Sequence, residues 1–364
     1  MSERLRLVVL GLSLSSSWGN GHATTYRALV KGLARRGHDV LFLERDVPWY
    51  AKHRDMPVPP FGSLALYRSF DELRARFTTK VRSADAVIVG SYVPEGVAVG
   101  RWAQETARGP VAFYDIDTPV TLAKLAKGDF EYLAPELIPD YDLYLSFTGG
   151  PTLRRLEAEY GAPVAHALYC SVDPDLYEPT GEAPRWDLGY LGTYSDDRQP
   201  VLDRLLLEPA RRRPDLGLVV AGPQYPASID WPANVERIEH LAPPEHPSFY
   251  ARCRWTLNVT RAAMVAAGWS PSVRLFEAAA CGTPIVSDAW PGLLDIFPAE
   301  TIRVAETTED ILDVLTGIDE AERRRMAAAA REHVLARHSG PARAAELEAC
   351  LAAATARLAR TAAE

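Results

Sequence analysis

A polar loop early in the chain carries the first residues with chemical potential. It runs from Ser13 to His22 with Gly19, Asn20 and Gly21 inside it, and it joins an apolar segment to a helical pattern. Glycines let a backbone approach a ligand closely, and a helix that follows presents free N–H groups and the positive end of its dipole. We therefore expect this loop to contact an anionic or polyhydroxyl ligand.

A histidine and two aspartates could form an acid–base pair. Imidazole has an unperturbed pKa of about 6.5, so His22 can take a proton from a hydroxyl group if a carboxylate orients its ring. Asp115 and Asp117 follow the apolar segment Val111–Tyr114, which predicts that they lie at the same sheet edge as the loop. In the alternative interpretation, His22 caps a helix and Asp117 caps a turn.

The richest segment for binding chemistry is Gly268–Asp288. A polar loop leads into a helix of small residues, Gly282 ends that helix, and a buried strand follows. The helix start would direct Ser272, backbone N–H groups and Arg274 towards a diphosphate. Glu277 could accept two ribose hydroxyl protons. The alternative is that Arg274 and Glu277, three residues apart, form a surface ion pair.

These residues need a framework of strands and helices to hold them. Apolar segments of strand length alternate with helical patterns, which predicts βαβ units and parallel sheets whose ligands lie at the carboxyl ends of the strands. The predicted strands are Leu5–Leu12, Val40–Leu43, Ala86–Gly90, Val111–Tyr114, Leu143–Phe147, Asp187–Gly192, Leu216–Gly222, Val235–His240, Thr256–Val259 and Pro284–Ser287.

The pattern divides the chain into four parts. We predict an N-terminal domain over 1–170, a linker rich in proline over 171–186, a C-terminal domain over 187–340 and a terminal helix over 341–364. A length of 364 residues is compatible with roughly two domains. Two α/β domains with a cleft between them are therefore expected.

Composition excludes several other classes. Hydrophobic residues make up 47% and charged residues 24% of the chain, which is ordinary globular usage. With 40 basic and 48 acidic residues the net charge is −8, so nucleic acid is not an expected partner. Cysteines lie far apart without a CxxC pair, so they are expected to be buried thiols. No signal or membrane segment is recognised, and a cytoplasmic location is expected. Neither an HExxH motif nor an EF-hand loop is present, and no metal is expected, although the spacing of Asp115 and Asp117 also fits a short metal-and-diphosphate pattern.

The segment Arg274–Asp288 resembles the donor-site signature of GT-B glycosyltransferases, and most closely the CgeB-like branch of the group 1 enzymes. Leu188–Tyr194, with Arg198 after it, resembles the strand and loop that open the donor domain. Val219–Pro223 resembles a strand end of that domain. Arg35–Val40 resembles a motif of the acceptor domain. The similarity extends over most of the chain and is most specific in its last third.

This resemblance implies a fold and an activity. The fold is GT-B: two Rossmann-like parallel-sheet domains face each other across a cleft, and a C-terminal helix crosses back to the N-terminal domain. The activity is transfer of a hexosyl group from a nucleoside diphosphate sugar (a UDP-, dTDP- or GDP-sugar) to a hydroxyl acceptor, without a bound metal. An epimerase or hydrolase acting on nucleotide sugars, or a catalytically decayed nucleotide-binding module, is the alternative.

The resemblance also assigns the donor site. Arg198 would face the diphosphate, and Glu277 the ribose. His240 or Leu241 would face the base. Together with the early loop, the implied donor-binding residues are Gly19, Asn20, Gly21, Thr193, Arg198, Gln224, His240, Leu241, Ser272, Val273, Arg274 and Glu277.

The catalytic outcome is left open by the sequence. Retaining enzymes of this group usually carry two glutamates eight positions apart, and with Glu277 as the second the first falls on Trp269. His22 with Asp115 or Asp117 resembles the base-and-acid pair of inverting GT-B enzymes. Without such a base, a retaining route assisted by the departing phosphate is the alternative.

Overall fold

The computed structural model describes residues 4–18 and 21–361. The chain divides into two compact units: unit 1 holds the described residues up to Ser171 and those from Gly340 onward, and unit 2 holds Val172–Ser339. Each unit contains one parallel sheet, so the predicted α/β class with two Rossmann-like sheets is confirmed. Within the described ranges, no helix is long and apolar enough to span a membrane.

Unit 1 contains a seven-stranded sheet in the order β3-β2-β1-β4-β5-β6-β7. Its strands are β1 Arg6–Gly11, β2 Asp39–Arg45, β3 Ser63–Tyr67, β4 Ala86–Gly90, β5 Val111–Asp115, β6 Leu143–Ser146 and β7 Ala165–Ala167. The helices are α1 Gly21–Arg35, α2 Pro48–Ala51, α3 Phe70–Ser83, α4 Gly96–Thr106, α5 Thr118–Ala126, α6 Pro151–Tyr160, the last helix of the chain, α15 Gly340–Thr361, and a 3₁₀ turn at Pro135–Asp140.

Helix α15 packs closely on α1. The approach requires a glycine, because a Cβ atom on Gly32 would lie 2.4 Å from the carbonyl oxygen of Gly340. Leu347 and Leu351 of α15 are buried in the core that β1 and α1 share. The apolar spacing along the tail therefore produces a helix whose buried face belongs to unit 1.

Unit 2 contains a six-stranded sheet in the order β10-β9-β8-β11-β12-β13. Its strands are β8 Trp186–Leu191, β9 Leu218–Ala221, β10 Val235–Ile238, β11 Cys253–Asn258, β12 Ile285–Ser287 and β13 Arg303–Val304. The helices are α7 Gln199–Leu202, α8 Glu208–Arg212, α9 His246–Ala251, α10 Ala262–Ala267, α11 Val273–Ala280, α12 Leu293–Ile296, α13 Thr308–Gly317 and α14 Glu320–Arg337; a π turn spans Asp203–Leu207 and a 3₁₀ turn spans Pro243–Glu245.

All ten predicted strands correspond to observed strands, with ends that differ by up to three residues. Three short strands, β3, β7 and β13, were not predicted. Cys170, Cys253 and Cys281 are buried free thiols as expected, whereas Cys350 is a half-buried thiol because α15 buries only one face.

Candidate functional site

The strand order identifies where each sheet offers a binding position. In unit 2, β8 lies between β9 and β11, and in unit 1, β1 lies between β2 and β4. The connections from these central strands leave towards opposite sides, and the divergence opens a crevice at the carboxyl ends. In unit 2 the loops after β8 and β11 flank this crevice.

Arg274 is held at this edge by the two strands. Its Nε donates to the carbonyl oxygen of Leu191 at 2.5 Å, and Nη1 donates to Oδ1 of Asn258 at 2.9 Å. The guanidinium carbon lies 4.7 Å from the centroid of the Tyr190 ring, and the residue is 8% exposed. Gly192 is required beside it, since a Cβ atom there would lie 2.6 Å from Nη2 of Arg274.

Asn258 connects Arg274 to the start of α11. Its Oδ1 also accepts the hydroxyl of Ser272 at 2.7 Å, and its Nδ2 donates to Ser287 at 2.9 Å. Ser272 precedes Val273, the first residue of α11. Ser272, Val273 and Arg274 thus form the start of α11 beside Asn258, and their role in donor binding stays a prediction. Asn258 was not predicted as a site residue, although a polar residue that ends an apolar strand is a usable signal.

Arg198 lies on the loop that follows β8. Its Nη2 donates to the carbonyl oxygen of Thr193 at 2.6 Å, while its Nε is buried and has no hydrogen-bond partner among the described residues. Burial lowers the pKa of Arg198, and the positive charges of Arg274 and Arg261 lower it further. An anion at this position would relieve both effects.

A cavity of about 460 Å³ opens beside Arg198. Arg261, which follows β11 and was not predicted as a site residue, also lines it. Of the nearby carboxylates, Asp196 accepts from Tyr194, and Asp197 accepts from the Ala262 N–H. Burial acts to raise the pKa of Asp197, but its hydrogen bonds and the positive charges of Arg261 and Arg198 hold it below its usual value. In the part of the chain that the structure describes, no carboxylate bonds the Arg198, Arg261 or Arg274 guanidinium groups. The residues that line the cavity are Thr193, Tyr194, Ser195, Asp196, Arg198 and Arg261.

Glu277 is buried on α11, with 5% of its surface exposed. Oε1 accepts the hydroxyl of Tyr177 at 2.9 Å, Oε2 accepts that of Tyr250 at 3.1 Å, and Nδ1 of His246 lies 3.7 Å from Oε2. Burial acts to raise the pKa of Glu277, but the bonds from these groups hold it below its usual value. Glu277 is therefore an ionised, fixed acceptor rather than half of a surface pair with Arg274; neither tyrosine was predicted.

The other predicted donor residues lie further along the edge. Gln224 follows β9, is exposed, and adopts a left-handed conformation with φ of 70°. Its neighbour Tyr225 donates to the carbonyl oxygen of Gly192 at 3.0 Å. His240 and Leu241 follow β10, the outer strand, and do not belong to the described residues that line the 460 Å³ cavity.

In unit 1, the predicted catalytic residues lie after β1 and at the end of β5. His22 is half-buried in the first turn of α1, edge-on to the Tyr92 ring with 5.2 Å between centroids. The Tyr92 hydroxyl donates to Oδ2 of Asp117 at 3.3 Å. Burial lowers the pKa of His22 to about 4, so the imidazole is neutral at pH 7. Tyr92 thus contacts both His22 and Asp117, and it was not predicted.

Asp115 is fully buried and bonded within unit 1. Its Oδ2 accepts the hydroxyl of Tyr144 at 2.7 Å, and its Oδ1 accepts the hydroxyl of Thr121 at 2.7 Å and the Asp117 N–H at 3.3 Å. Burial raises the pKa of Asp115 to about 6. Through the bond from the Asp117 N–H, Asp115 fixes the backbone at the carboxyl end of β5.

Two further predictions concern the early loop and metals. Gly21 is the exposed first residue of α1, whereas Gly19 and Asn20 lie outside the described residues. Among the residues of 4–18 and 21–361, no group of three or more His, Cys, Asp or Glu side chains could hold a metal ion. Trp269 has φ of 42°, and its indole N–H donates to Asp295 at 2.8 Å.

Comparison with known proteins shows which class of protein the chain is similar to. Residues 198–349 match a family model described as glycosyl transferase-like. No curated protein matches the chain. Sucrose-phosphate synthase from Thermosynechococcus elongatus has 14% identity and a TM-score of 0.67, with coverage of 95% of this chain and 98% of that chain.

Two other solved structures are similar over nearly the whole chain. Anabaena HepE, solved with UDP and glucose, has 14% identity and a TM-score of 0.69, with coverage of 96% of this chain and 100% of that chain. An α-glucosyltransferase solved with UDP and a DNA 13-mer has 12% identity and a TM-score of 0.68, with coverage of 96% and 100%. The fold is therefore that of the GT-B glycosyltransferases, and the family match supports a transferase.

Proposed function

We propose that the chain transfers a hexosyl group from a nucleoside diphosphate sugar to a hydroxyl acceptor. The observation that carries this proposal is the cluster of Arg198, Arg261 and Arg274 at the crevice of unit 2, where no described carboxylate hydrogen-bonds a guanidinium group. A diphosphate brings negative charge to this cluster and accepts charge-assisted hydrogen bonds. The UDP complexes of similar folds favour UDP over GDP and dTDP.

These groups would act most strongly on the leaving group. When the bond between the anomeric carbon and the phosphate oxygen breaks, negative charge develops on the diphosphate. Arginines fixed before the reaction stabilise that charge without reorganisation, and the α11 N–H groups beside Ser272 add to it. We propose that the enzyme needs no metal, because these groups neutralise the diphosphate, and that it belongs to the CgeB-like branch.

For the acceptor, we propose His22 as the base of an inverting reaction. His22 would take the hydroxyl proton as the acceptor oxygen bonds to the anomeric carbon, and Tyr92 with Asp117 would position the imidazole. Because the pKa of His22 is lowered to about 4, the base is neutral at pH 7 and is lost only as pH falls through about 4. The net charge of −8 favours a small or glycan acceptor over DNA.

Calorimetry tests the donor assignment. UDP, GDP and dTDP are titrated into the wild type, Arg274→Ala and Arg261→Ala; Arg261→Ala removes only an exposed side chain. We expect at least one nucleotide to bind and each variant to weaken it roughly tenfold. Arg211→Ala, a surface arginine of unit 2 that pairs with Glu208, is the control. Absence of binding by the wild type, or equal affinity in the variants, would falsify the assignment.

A turnover assay separates the proposed reaction from its alternatives. The wild type is incubated with the bound nucleotide's sugar conjugate, with and without a mixed set of hydroxyl acceptors. Transfer that requires acceptor supports a transferase. Rapid conversion of donor alone indicates an epimerase or hydrolase, and tight binding without any conversion indicates a decayed module.

A further inference from the structure

Unit 1 carries an exposed tryptophan that has no role in the donor site or in the proposed acid–base chemistry. Trp18 follows β1 and is 54% exposed. One face of its indole stacks on the imidazole of His53, with ring centroids 4.6 Å apart and planes inclined by 11°. More than half of a large apolar side chain therefore meets water, although burial would stabilise the fold.

The loop that carries Trp18 is fixed by charge-assisted bonds. Ser17 donates to Asp55 through its backbone N–H at 2.9 Å and its hydroxyl at 2.8 Å. Arg27 donates to both oxygens of Asp55 at 2.8 Å and to the Leu14 carbonyl at 2.9 Å. Burial acts to raise the pKa of Asp55, but the bonds from Arg27 and Ser17 hold it well below its usual range. The attachment therefore persists at physiological pH.

A second acid anchors the root of the same loop. Glu44 is buried at the end of β2 and accepts the N–H groups of Leu14 and Ser15 at 2.6 and 2.9 Å. The Ser15 carbonyl in turn accepts the Met56 N–H at 3.0 Å. Two carboxylates, those of Asp55 and Glu44, thus hold the surface loop that carries the exposed Trp18 indole. Such preorganisation removes an entropy cost from ligand binding.

We propose that Trp18 is an acceptor subsite that stacks on the C–H face of a pyranose ring, so the acceptor is a saccharide. This inference rests on the proposed function. A pyranose presents an apolar face with a rim of hydroxyls, and an aromatic ring complements that face. The exposed side chain of Lys52, which precedes His53 in the chain, is the proposed polar partner for the rim. Trp18 also lies four residues before His22, the proposed base.

The surroundings favour a small ligand over a protein partner. A stable protein interface needs roughly 800 Å² on each partner. Trp18 is a single exposed indole among charged neighbours. The other exposed tryptophan of unit 1, Trp49, is 55% exposed but lacks these attachments: it lies on α2 and meets Tyr50 edge-on. Trp49 is therefore a matched control.

Saturation-transfer NMR tests the proposal with defined probes. Methyl α- and β-glucopyranoside, methyl α-mannopyranoside, maltose and 4-nitrophenol are titrated into the full chain with saturating UDP. We expect a saccharide to bind through its ring C–H protons. Trp18→Ala should weaken that binding roughly tenfold, Trp18→Phe should restore part of it, and Trp49→Ala should leave it unchanged. Asp55→Asn, which loosens the loop, should weaken it less.

Several outcomes would overturn the proposal. These are no saccharide bound by the wild type, no loss in Trp18→Ala, equal loss in Trp49→Ala, or binding of 4-nitrophenol in preference to every saccharide. Thermal unfolding, measured on each variant, shows that the variant is folded, and UDP affinity is measured beside it. The UDP affinity separates the two proposals: normal UDP binding without saccharide binding contradicts only the acceptor subsite, whereas absent UDP binding contradicts the proposed function.

Discussion

Each sheet carries candidate site residues at the carboxyl ends of its strands, but the charge that the surroundings disfavour is positive in unit 2 and negative in unit 1. In unit 2, Arg198 is half-buried beside two other arginines, and this burial together with those charges lowers its pKa. In unit 1, Asp115 is fully buried among the hydroxyls of Tyr144 and Thr121, and burial raises its pKa to about 6. Among the described residues, no basic side chain bonds Asp115.

The difference shows what each edge can accept. A diphosphate would relieve the arginines of unit 2, because it brings negative charge into a site that disfavours its own positive charge. In unit 1, protonation removes the buried negative charge of Asp115. Under the proposed function, unit 2 binds the donor and unit 1 handles the proton, and each edge can be tested by removing its disfavoured charge.

Removing positive charge from unit 2 should have the largest effect. Arg198→Ala combined with Arg261→Ala removes two hydrogen-bonding cations worth roughly 1.5–3 kcal/mol each. We expect UDP affinity to fall at least about 100-fold in calorimetry and its dependence on salt to weaken. The double variant Arg211→Ala/Arg212→Ala changes net charge equally and is the control. Equal losses in both double variants would mean that only overall charge matters.

Removing the buried negative charge of Asp115 should raise the unfolding free energy, relative to the wild type, more at about pH 7 and above than near about pH 4. The folded pKa of Asp115, about 6, exceeds an unfolded value of about 3.9. Its contribution to stability is fully present below about pH 4 and is lost as pH rises through about 6. Relative to the wild type, Asp115→Asn should therefore gain about 2–3 kcal/mol between about pH 4 and about pH 7. Unfolding free energies measured against urea at each pH check this.

A pH-independent difference between the wild type and Asp115→Asn would contradict the comparison. It would mean that Asp115 is ionised in the folded protein throughout this range. The asparagine oxygen can still accept from the Asp117 N–H and the Thr121 hydroxyl, and the Tyr144 hydroxyl can rotate to accept from the new amide N–H, so the variant should fold. A loss of transfer activity in it would report on the positioning of Asp117.

The tyrosines around Glu277 provide a third, smaller test. Tyr177→Phe removes one of two hydroxyl donors to a buried carboxylate, which should cost about 1.5–3 kcal/mol of unfolding free energy. If Glu277 holds the ribose, UDP affinity should fall while pyrophosphate affinity stays unchanged. Tyr141→Phe is the matched control, because the Tyr141 hydroxyl is buried without a hydrogen-bond partner among the described residues. Equal weakening of UDP and pyrophosphate would contradict a ribose role.

The smallest effect should come from an ion pair at the outer strand of unit 1, where the charge does have a partner. His166 lies on β7, and bonds to Cys350 and Glu346 of α15 raise the pKa of His166 to about 10. Its stabilisation is fully present below about pH 6.5 and is lost as pH rises through about 10. The His166 side chain is 42% exposed, so screening leaves under about 1 kcal/mol.

His166→Gln should therefore flatten the unfolding free energy between about pH 7 and about pH 10. Glu346→Gln should have a similar effect, since it removes the carboxylate partner. If the unfolding free energy of both variants keeps the wild-type dependence on pH, the ion pair between β7 and α15 contributes nothing measurable to stability. The different pH dependence expected at Asp115 would then follow from its burial alone.

Much of the fold could be predicted because its signals are local. Four buried positions of α1, Tyr26, Leu29, Val30 and Leu33, recur at helical spacing, and β1 is a continuous apolar segment. The strands that were not predicted are short or only partly buried: Ser63–Tyr67 has one buried residue, and Arg303–Val304 contains two residues. Outer strands lack the two buried faces that give a central parallel strand its apolar sequence.

The candidate site was predictable only in part, for the same physical reason. Ser272, Arg274 and Glu277 lie on one loop and helix, so their spacing already placed them together. Asn258 bonds that helix from the end of β11, Arg261 lines the cavity beside Arg198, and Tyr177 bonds Glu277 across 100 residues of sequence. Such contacts depend on strand order and helix packing rather than on any local pattern.

The sequence by itself determined that two parallel sheets form, which segments become their central strands, and that a helix beginning at Val273 presents an arginine. Periodicity and apolar content fix these features because each involves neighbours along the chain. Only the tertiary structure decided that Arg198 lies beside two other arginines, and that Asp115 is buried with no basic side chain bonded to it among the described residues. It also decided that Trp18 stacks on His53. Burial and long-range pairing set those properties, and both arise only when distant segments pack together.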